Sequence, residues 1–156
     1  MSHIDQRAEF SDAQAVTATA ISTNVIARDG LGLSPNATQN LGAPSAPMYL
    51  VVQTAVAITD TGSDATLAVT LESATDAGLT TGAVVHANSG TLAFANFAPA
   101  GTTIMCIPLP TGDYKDYIGV RYTVGAGPFT AGAFNAYLTL DPGVAMMRKV
   151  YDNGLT

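Results

Sequence analysis

The clearest strand pattern lies in residues 117–141, which read YIGVRYTVGAGPFTAGAFNAYLTLD. The first half alternates small or polar residues with four apolar residues: Ile118, Val120, Tyr122 and Val124. After a Gly-rich loop over residues 125–132, the alternation resumes with a second apolar set: Phe134, Ala136, Leu138 and Leu140. A period of two indicates a strand with one buried face. The sequence therefore predicts two strands, and their spacing predicts that they pair as a long antiparallel hairpin.

Further strands are predicted outward from this stretch. Apolar alternation or short apolar runs indicate strands over residues 15–21, 48–58, 65–73, 83–88, 92–97 and 102–109, of which 92–97 could instead be an extended connection. Residues 48–58 and 65–73 are predicted to form a second hairpin. Leu50, Val51 and Val52 are apolar on both strand faces, which indicates a central position.

No segment has a sustained helical period, and Gly, Pro, Asn and Asp separate the predicted strands. About eight short strands of this kind predict an all-β fold, an antiparallel β-sandwich of jelly-roll type. The chain has one cysteine and no tryptophan, which makes the immunoglobulin-like alternative less suitable. We expect a flexible arm over residues 1–12, a sandwich over 13–143 and a tail over 144–156.

The composition limits the classes of partner. Charged residues make up 12% of the 156-residue chain, and the net charge is −6. So little charge suggests that much of the surface associates with another protein, whereas the few scattered basic residues argue against a nucleic-acid partner. No apolar run is long enough for a membrane helix, and the first residues lack a secretion signal, so we expect synthesis in the cytoplasm.

The residues that could carry chemistry do not form a recognisable motif. His3 and His86 have no carboxylate or thiol at the spacing of a metal site or a catalytic triad, and Cys106 lies in an apolar run without a basic neighbour. Asp60 and Asp64 flank a turn, where aspartates are common without any metal. We therefore expect a protein that is not an enzyme and that needs no cofactor and no metal.

Several stretches resemble the capsid cement, or decoration, proteins of tailed bacteriophages, of the jelly-roll type known from short-tailed Bordetella phages. The similarity spans roughly residues 10–141. It is carried by five segments: FSDAQAVT at 10–17, MYLVVQ at 48–53, LAVTLES at 67–73, PLP at 108–110 and RYTVGAGPFTAG at 121–132. The last segment is the most specific of the five.

This resemblance implies a structural virion protein that binds the outer surface of the capsid and clamps neighbouring major capsid subunits. It also implies a homo-oligomer, either a dimer or a trimer. We expect the partner contacts in the amino-terminal arm, in the Gly- and Pro-rich loop over residues 29–47 and in the tail. The candidate contact residues are Phe10, Asp12, Gln14, Leu31, Leu33, Asn36, Met146, Met147, Arg148 and Tyr151.

Two alternatives from other classes remain open. A carbohydrate-binding β-sandwich on a virion or cell surface would need an aromatic platform, although aromatic residues make up only 7% of the chain. A pilus or fibre subunit would need export, for which the first residues show no signal. Glycan binding by the isolated protein would favour the first alternative.

Overall fold

A computed structural model of the chain describes residues 6–28, 40–41 and 47–143. These residues contain short 3-10 turns at Gln6–Ala8 and Phe94–Asn96. The strands are β1 (Glu9–Ala15), β2 (Ala20–Ile21), β3 (Ile26–Ala27), β4 (Asn40–Leu41), β5 (Tyr49–Thr59), β6 (Thr66–Ala74), β7 (Val84–Asn88), β8 (Leu92–Ala93), β9 (Thr103–Pro108), β10 (Gly112–Asp113), β11 (Tyr117–Gly125) and β12 (Ala131–Thr139).

The strands form two antiparallel sheets that pack around one apolar core. Sheet A has the order β1-β12-β5-β9. Sheet B has the order β2-β11-β6-β7, with β3 also pairing with β11 and β8 also pairing with β6. The short strands β4 and β10 pair separately.

The strand order is that of a jelly roll. Strands β2 and β3 act as one broken strand along β11, and β7 and β8 act as one broken strand along β6. Counted in this way, and with β4 and β10 left out, the two sheets contain eight strands. Sheet A has the first, eighth, third and sixth of these strands, and sheet B has the second, seventh, fourth and fifth. The predicted all-β sandwich is confirmed, including the central position of β5 in sheet A.

The two predicted hairpins are wrong. Strand β11 lies in sheet B and β12 in sheet A, and the connection between them crosses from one sheet to the other. Strands β5 and β6 are likewise in opposite sheets. Alternation identifies the buried face of each strand, but both sheets bury a face against the same core, so the pattern alone does not identify the partner strand. Tyr122 and Phe134 stack across this core with ring centroids 5.1 Å apart.

The amino-terminal prediction also needs correction. The chain enters sheet A at Glu9, inside the predicted arm, and the predicted strand over residues 15–21 is mostly a bend between β1 and β2. The reason is Phe10, whose side chain is fully buried in the core and anchors β1 beside β12. At the other end, Leu140 lies beyond β12 and is exposed, contrary to the predicted alternation.

Candidate partner-binding surfaces

The structure places three of the predicted contact residues on β1. Phe10 is fully buried, so its side chain belongs to the core and is not part of the protein surface. Asp12 is exposed, and Gln14 is partly buried. The other candidates lie outside the described residues: Leu31, Leu33, Asn36, Met146, Met147, Arg148 and Tyr151.

The Gln14 side chain holds β1 against the chain that follows it. Its Oε1 accepts hydrogen bonds from Ser11 Oγ at 2.7 Å and from the backbone N–H of Thr23 at 2.8 Å. Its Nε2 donates to the carbonyl oxygen of Ile21 at 2.9 Å. Gln14 therefore has a structural role here, and Asp12 is the one of the three β1 candidates with an exposed side chain.

A buried hydrogen bond links this network to sheet B. The Tyr122 hydroxyl donates to Ser11 Oγ at 3.0 Å, and burial raises the pKa of Tyr122 to about 12. The pairing satisfies two polar groups that would otherwise be costly to bury. Strand β1 is thus fixed to both sheets, which is why it cannot behave as a free arm from Glu9 onward.

The loop over residues 75–82 has a well-defined structure on the outer face of sheet B. The Asp76 carboxylate accepts hydrogen bonds from the backbone N–H groups of Gly78, Thr80 and Thr81. The bond from Thr81 is the largest of the effects that lower the pKa of Asp76 to about 2. Asp76 therefore acts in turn formation, the more common use of an aspartate beside a glycine.

Leu79 fastens this loop to the sheet. It adopts a left-handed conformation with φ of 51° and is buried above Gly119, where an added Cβ would lie only 2.8 Å from Leu79 Cδ1. Arg121 donates to the Leu79 carbonyl oxygen at 2.8 Å and pairs with Glu72 at 3.0 Å. Leu79 therefore packs over Gly119, where a larger residue would leave too little space, and its carbonyl oxygen is held by Arg121.

Ser73 and His86 are brought together, although they do not form a nucleophilic site. Ser73 Oγ lies 2.7 Å from His86 Nε2 and accepts the backbone N–H of Lys115 at 3.1 Å. With one lone pair used by Lys115, the hydroxyl hydrogen is available to donate to a neutral His86 ring. The ring stacks on Tyr114 with centroids 3.8 Å apart. Since Ser73 is fully buried, this pair joins β6, β7 and the segment before β11 and offers no access to a substrate.

Exposed apolar side chains mark a surface that the sequence reasoning missed. Val84 and Val85 are 40% and 53% exposed on β7, an edge strand of sheet B. They follow the ordered loop directly, and residues 80–85 are all exposed. The sequence does contain a feature that marks this surface, since no Asp, Glu, Lys or Arg occurs between Asp76 and Asp113.

Within the described ranges, no group of three or more His, Cys, Asp or Glu side chains is placed to hold a metal ion. No helix in the same ranges is long and apolar enough to span a membrane. The functional features that the structure does offer are ordered loops and uncharged, exposed strand edges. The molecule therefore belongs to the class of jelly-roll β-sandwiches, and its candidate functional sites are regions of its surface.

A comparison with protein-family models matches the family described as Bbp16 over residues 10–138. This match covers most of the chain, and the protein belongs to the Bbp16 family. The family designation is consistent with a Bordetella phage origin and with a virion structural protein. A search of curated proteins found no match.

Proposed function

We propose that this protein is a capsid cement protein that binds the outer surface of a tailed-phage shell. The observation that carries the proposal is the Bbp16 match over residues 10–138, since it coincides with the jelly-roll domain and with the region that resembles cement proteins. Its partner would be the major capsid protein. Each copy would hold neighbouring capsid subunits together and so stabilise the expanded shell.

The physical character of the domain supports this role. The Asp76 loop and the β1 network are held by internal hydrogen bonds, so their surfaces need little further ordering when a partner binds. A shell also presents many identical sites, and linked contacts gain strength through multivalency even when each is weak. A single contact of standard size would bury about 800 Å² on each partner.

The proposed shell contacts are the exposed part of β1 at Asp12, the loop over residues 29–47 and the tail over residues 144–156. Asp12 belongs to this set because it is exposed on a strand that is itself firmly held. The loop and tail contacts stand as proposals from the sequence. Self-association into a dimer or trimer would place the copies on symmetry axes of the shell.

The direct test is rebinding of purified protein to expanded phage capsids from which the native decoration has been removed. The capsids are sedimented with increasing amounts of protein, and the bound fraction is measured by gel densitometry. Saturation at a fixed ratio to the major capsid protein, together with a higher melting temperature of the decorated shell, is the expected result. An unrelated acidic β-sandwich protein of similar size serves as the control.

Absence of saturable binding by the folded protein would overturn the proposal. Where binding is saturable, a variant lacking residues 1–5 and a variant lacking residues 144–156 would separate the contributions of the two ends. Both deletions leave the strands from β1 to β12 intact, so circular dichroism should give the same all-β spectrum and loss of binding could be assigned to the contact.

A further inference from the structure

The segment over residues 112–116 is attached to sheet B by a small number of specific contacts. It contains β10 and leads into β11. The ring of Tyr114 stacks on the ring of His86 on β7 with centroids 3.8 Å apart. The backbone N–H of Lys115 donates to Ser73 Oγ on β6 at 3.1 Å. Ser73 and His86 are themselves hydrogen-bonded at 2.7 Å, so these four residues form one cluster.

The same segment also holds the chain that precedes β5. The Arg28 guanidinium donates to the Tyr114 carbonyl oxygen at 3.1 Å, and the Arg28 backbone N–H donates to the Asp116 carbonyl oxygen at 2.8 Å. Strand β10 pairs with β4 through two residue pairs. The 112–116 segment therefore links β6 and β7 of sheet B on one side to Arg28 and β4 on the other.

The Ser73 hydroxyl can satisfy a neutral His86 ring but not a charged one. A neutral ring accepts the hydroxyl hydrogen at Nε2, while the Lys115 N–H uses one lone pair of Ser73 Oγ. A charged ring carries hydrogen on both nitrogens, so Nε2 must donate to Oγ, and the hydroxyl hydrogen then needs another acceptor. Within the described residues, Ser73 Oγ has hydrogen bonds with His86 and Lys115 only. Because Ser73 is fully buried, the unpaired hydroxyl hydrogen would be costly.

The charged side chains on neighbouring elements do not compensate a charge on the ring. Glu72 pairs with Arg121 instead, and Asp116 pairs with Arg28. Lys115 donates from Nζ to the Gly82 carbonyl oxygen and brings a second positive charge to this cluster. Across the described ranges, none of the charged groups on the elements around β7 forms an ion pair with His86: Glu72, Asp76, Asp113, Lys115 and Asp116.

Tyr114 offers a charged ring some attraction but no hydrogen-bond acceptor. An aromatic face attracts a cation. Burial raises the pKa of Tyr114 to about 12, so its hydroxyl stays neutral, and this hydroxyl donates to the Pro110 carbonyl oxygen at 2.8 Å. Burial of His86 acts in the opposite direction and lowers the pKa of the ring. The closed arrangement of the cluster therefore favours neutral His86.

We propose that His86 is a pH-sensitive latch, which holds the 112–116 segment against sheet B while its ring is neutral and releases the segment when the ring is charged. In the released state, the charged ring is solvated, and Tyr114 and Lys115 lose their partners on β7 and β6. The release is local, because β11 stays paired with β6 through nine residue pairs from Tyr117 onward. This inference rests on the cluster and not on the proposed function.

The test is hydrogen exchange measured by NMR on the full chain between pH 7.5 and 5.5, with each rate corrected for the intrinsic effect of pH. The open state binds one more proton than the closed state. Protection of the Lys115 amide should therefore fall by up to about tenfold per pH unit below 6.5, the ordinary pKa of histidine. The buried amide of Val120 on β11 is the internal reference, and its protection should stay constant.

His86→Gln is the matched control. Its amide oxygen can still accept the Ser73 hydroxyl, but the side chain does not titrate, so Lys115 protection should be the same at both ends of the pH range. The other charged groups are unchanged in this variant, so the difference from wild type isolates His86. Ring signals of wild-type His86, followed in the same titration, should move with the loss of protection.

Two results would overturn the inference. One is constant protection of Lys115 in wild-type protein from pH 7.5 to 5.5, which needs no variant to observe. The other is an equal loss of protection in folded His86→Gln. No capsid is present in these measurements, so the latch can fail while shell binding is confirmed, and shell binding can fail while the latch is confirmed.

Discussion

The ion pair between Arg121 and Glu72 supports a quantitative prediction about stability. The Glu72 side chain is 7% exposed and that of Arg121 is 28% exposed, and Arg121 Nε lies 3.0 Å from a carboxylate oxygen. Arg121 also donates to the Leu79 carbonyl oxygen, which holds the loop over residues 75–82. Arg121→Met keeps much of the apolar side chain but leaves a buried carboxylate with the Thr70 hydroxyl as its remaining hydrogen-bond donor from a side chain.

Breaking a buried pair by removing one partner costs about 3–5 kcal/mol. Because Arg121 is partly exposed, some of the charge effect is screened, and we expect a loss of about 2–4 kcal/mol. For a chain of this length, that loss corresponds to a decrease in melting temperature of roughly 5–15 °C. Urea unfolding followed by circular dichroism would give the free energy directly.

A control comes from the ion pair between Arg28 and Asp116, in which the carboxylate is the solvated partner. The Asp116 side chain is 61% exposed, whereas that of Arg28 is 11% exposed and also donates to the Tyr114 carbonyl oxygen. Asp116→Asn should cost less than about 1 kcal/mol. The double variant Glu72→Gln with Arg121→Met should recover part of the loss, because the uncompensated charge is gone. If Arg121→Met were no more destabilising than Asp116→Asn, the conclusion that Arg121 holds the loop over residues 75–82 in place would be refuted.

Three other results are expected. Phe10→Ala should destabilise the fold by about 3–5 kcal/mol, as measured by urea unfolding, because the side chain is fully buried, whereas a free amino-terminal arm would tolerate the change. Burial lowers the pKa of His86, so the neutral ring is favoured in the folded protein. The contribution of this ring to the free energy of unfolding should be fully present above pH 6.5, the pKa of the unfolded state, and should be lost as the pH falls below that value. Thermal melts of His86→Gln over the same pH range should lack this part of the pH dependence. Tyr122→Phe should cost about 1–2 kcal/mol because Ser11 loses its donor, with Tyr117→Phe on the same strand as a control that should change little.

The sequence predicted individual strands better than their pairing. Residues 117–124 alternate strictly, and Ile118, Val120 and Tyr122 are buried as expected. The connection to β12 was misread because a Gly-rich loop resembles a hairpin turn. Phe129 within that loop is buried, since the loop closes one end of the core between the sheets. A large aromatic residue within a loop of otherwise small and polar residues was the feature of the sequence that could have indicated a connection between the two sheets.

Strand β1 could not be recognised from periodicity. Its sequence, EFSDAQA, has one large apolar residue, and its place in sheet A depends on Phe10 in the core and on the hydrogen bonds of Ser11 and Gln14. The hydrogen bond that ties Ser11 to sheet B comes from Tyr122, which is 111 residues away in sequence. The same limit applies to the burial of Leu79, because no local pattern contains its contacts with Gly119 and Arg121.

The candidate surfaces were predicted only in part. The sequence proposed Asp12 as a contact residue, and this stays a prediction for a residue that the fold leaves exposed. It also proposed Phe10 and Gln14, which the fold uses internally. The exposed valines of β7 lie in a stretch with neither a charge cluster nor an aromatic platform, and the feature of the sequence that marks this stretch is the absence of charged residues between Asp76 and Asp113.

Quantitative mass spectrometry of purified virions tests the central claim most directly. If the protein is a capsid cement protein, it should be present in mature particles at a fixed ratio to the major capsid protein, and a carboxyl-labelling reagent should modify Asp12 in the free protein but less in intact virions, where the proposed contact covers it. Absence of the protein from particles that are otherwise complete would contradict the account.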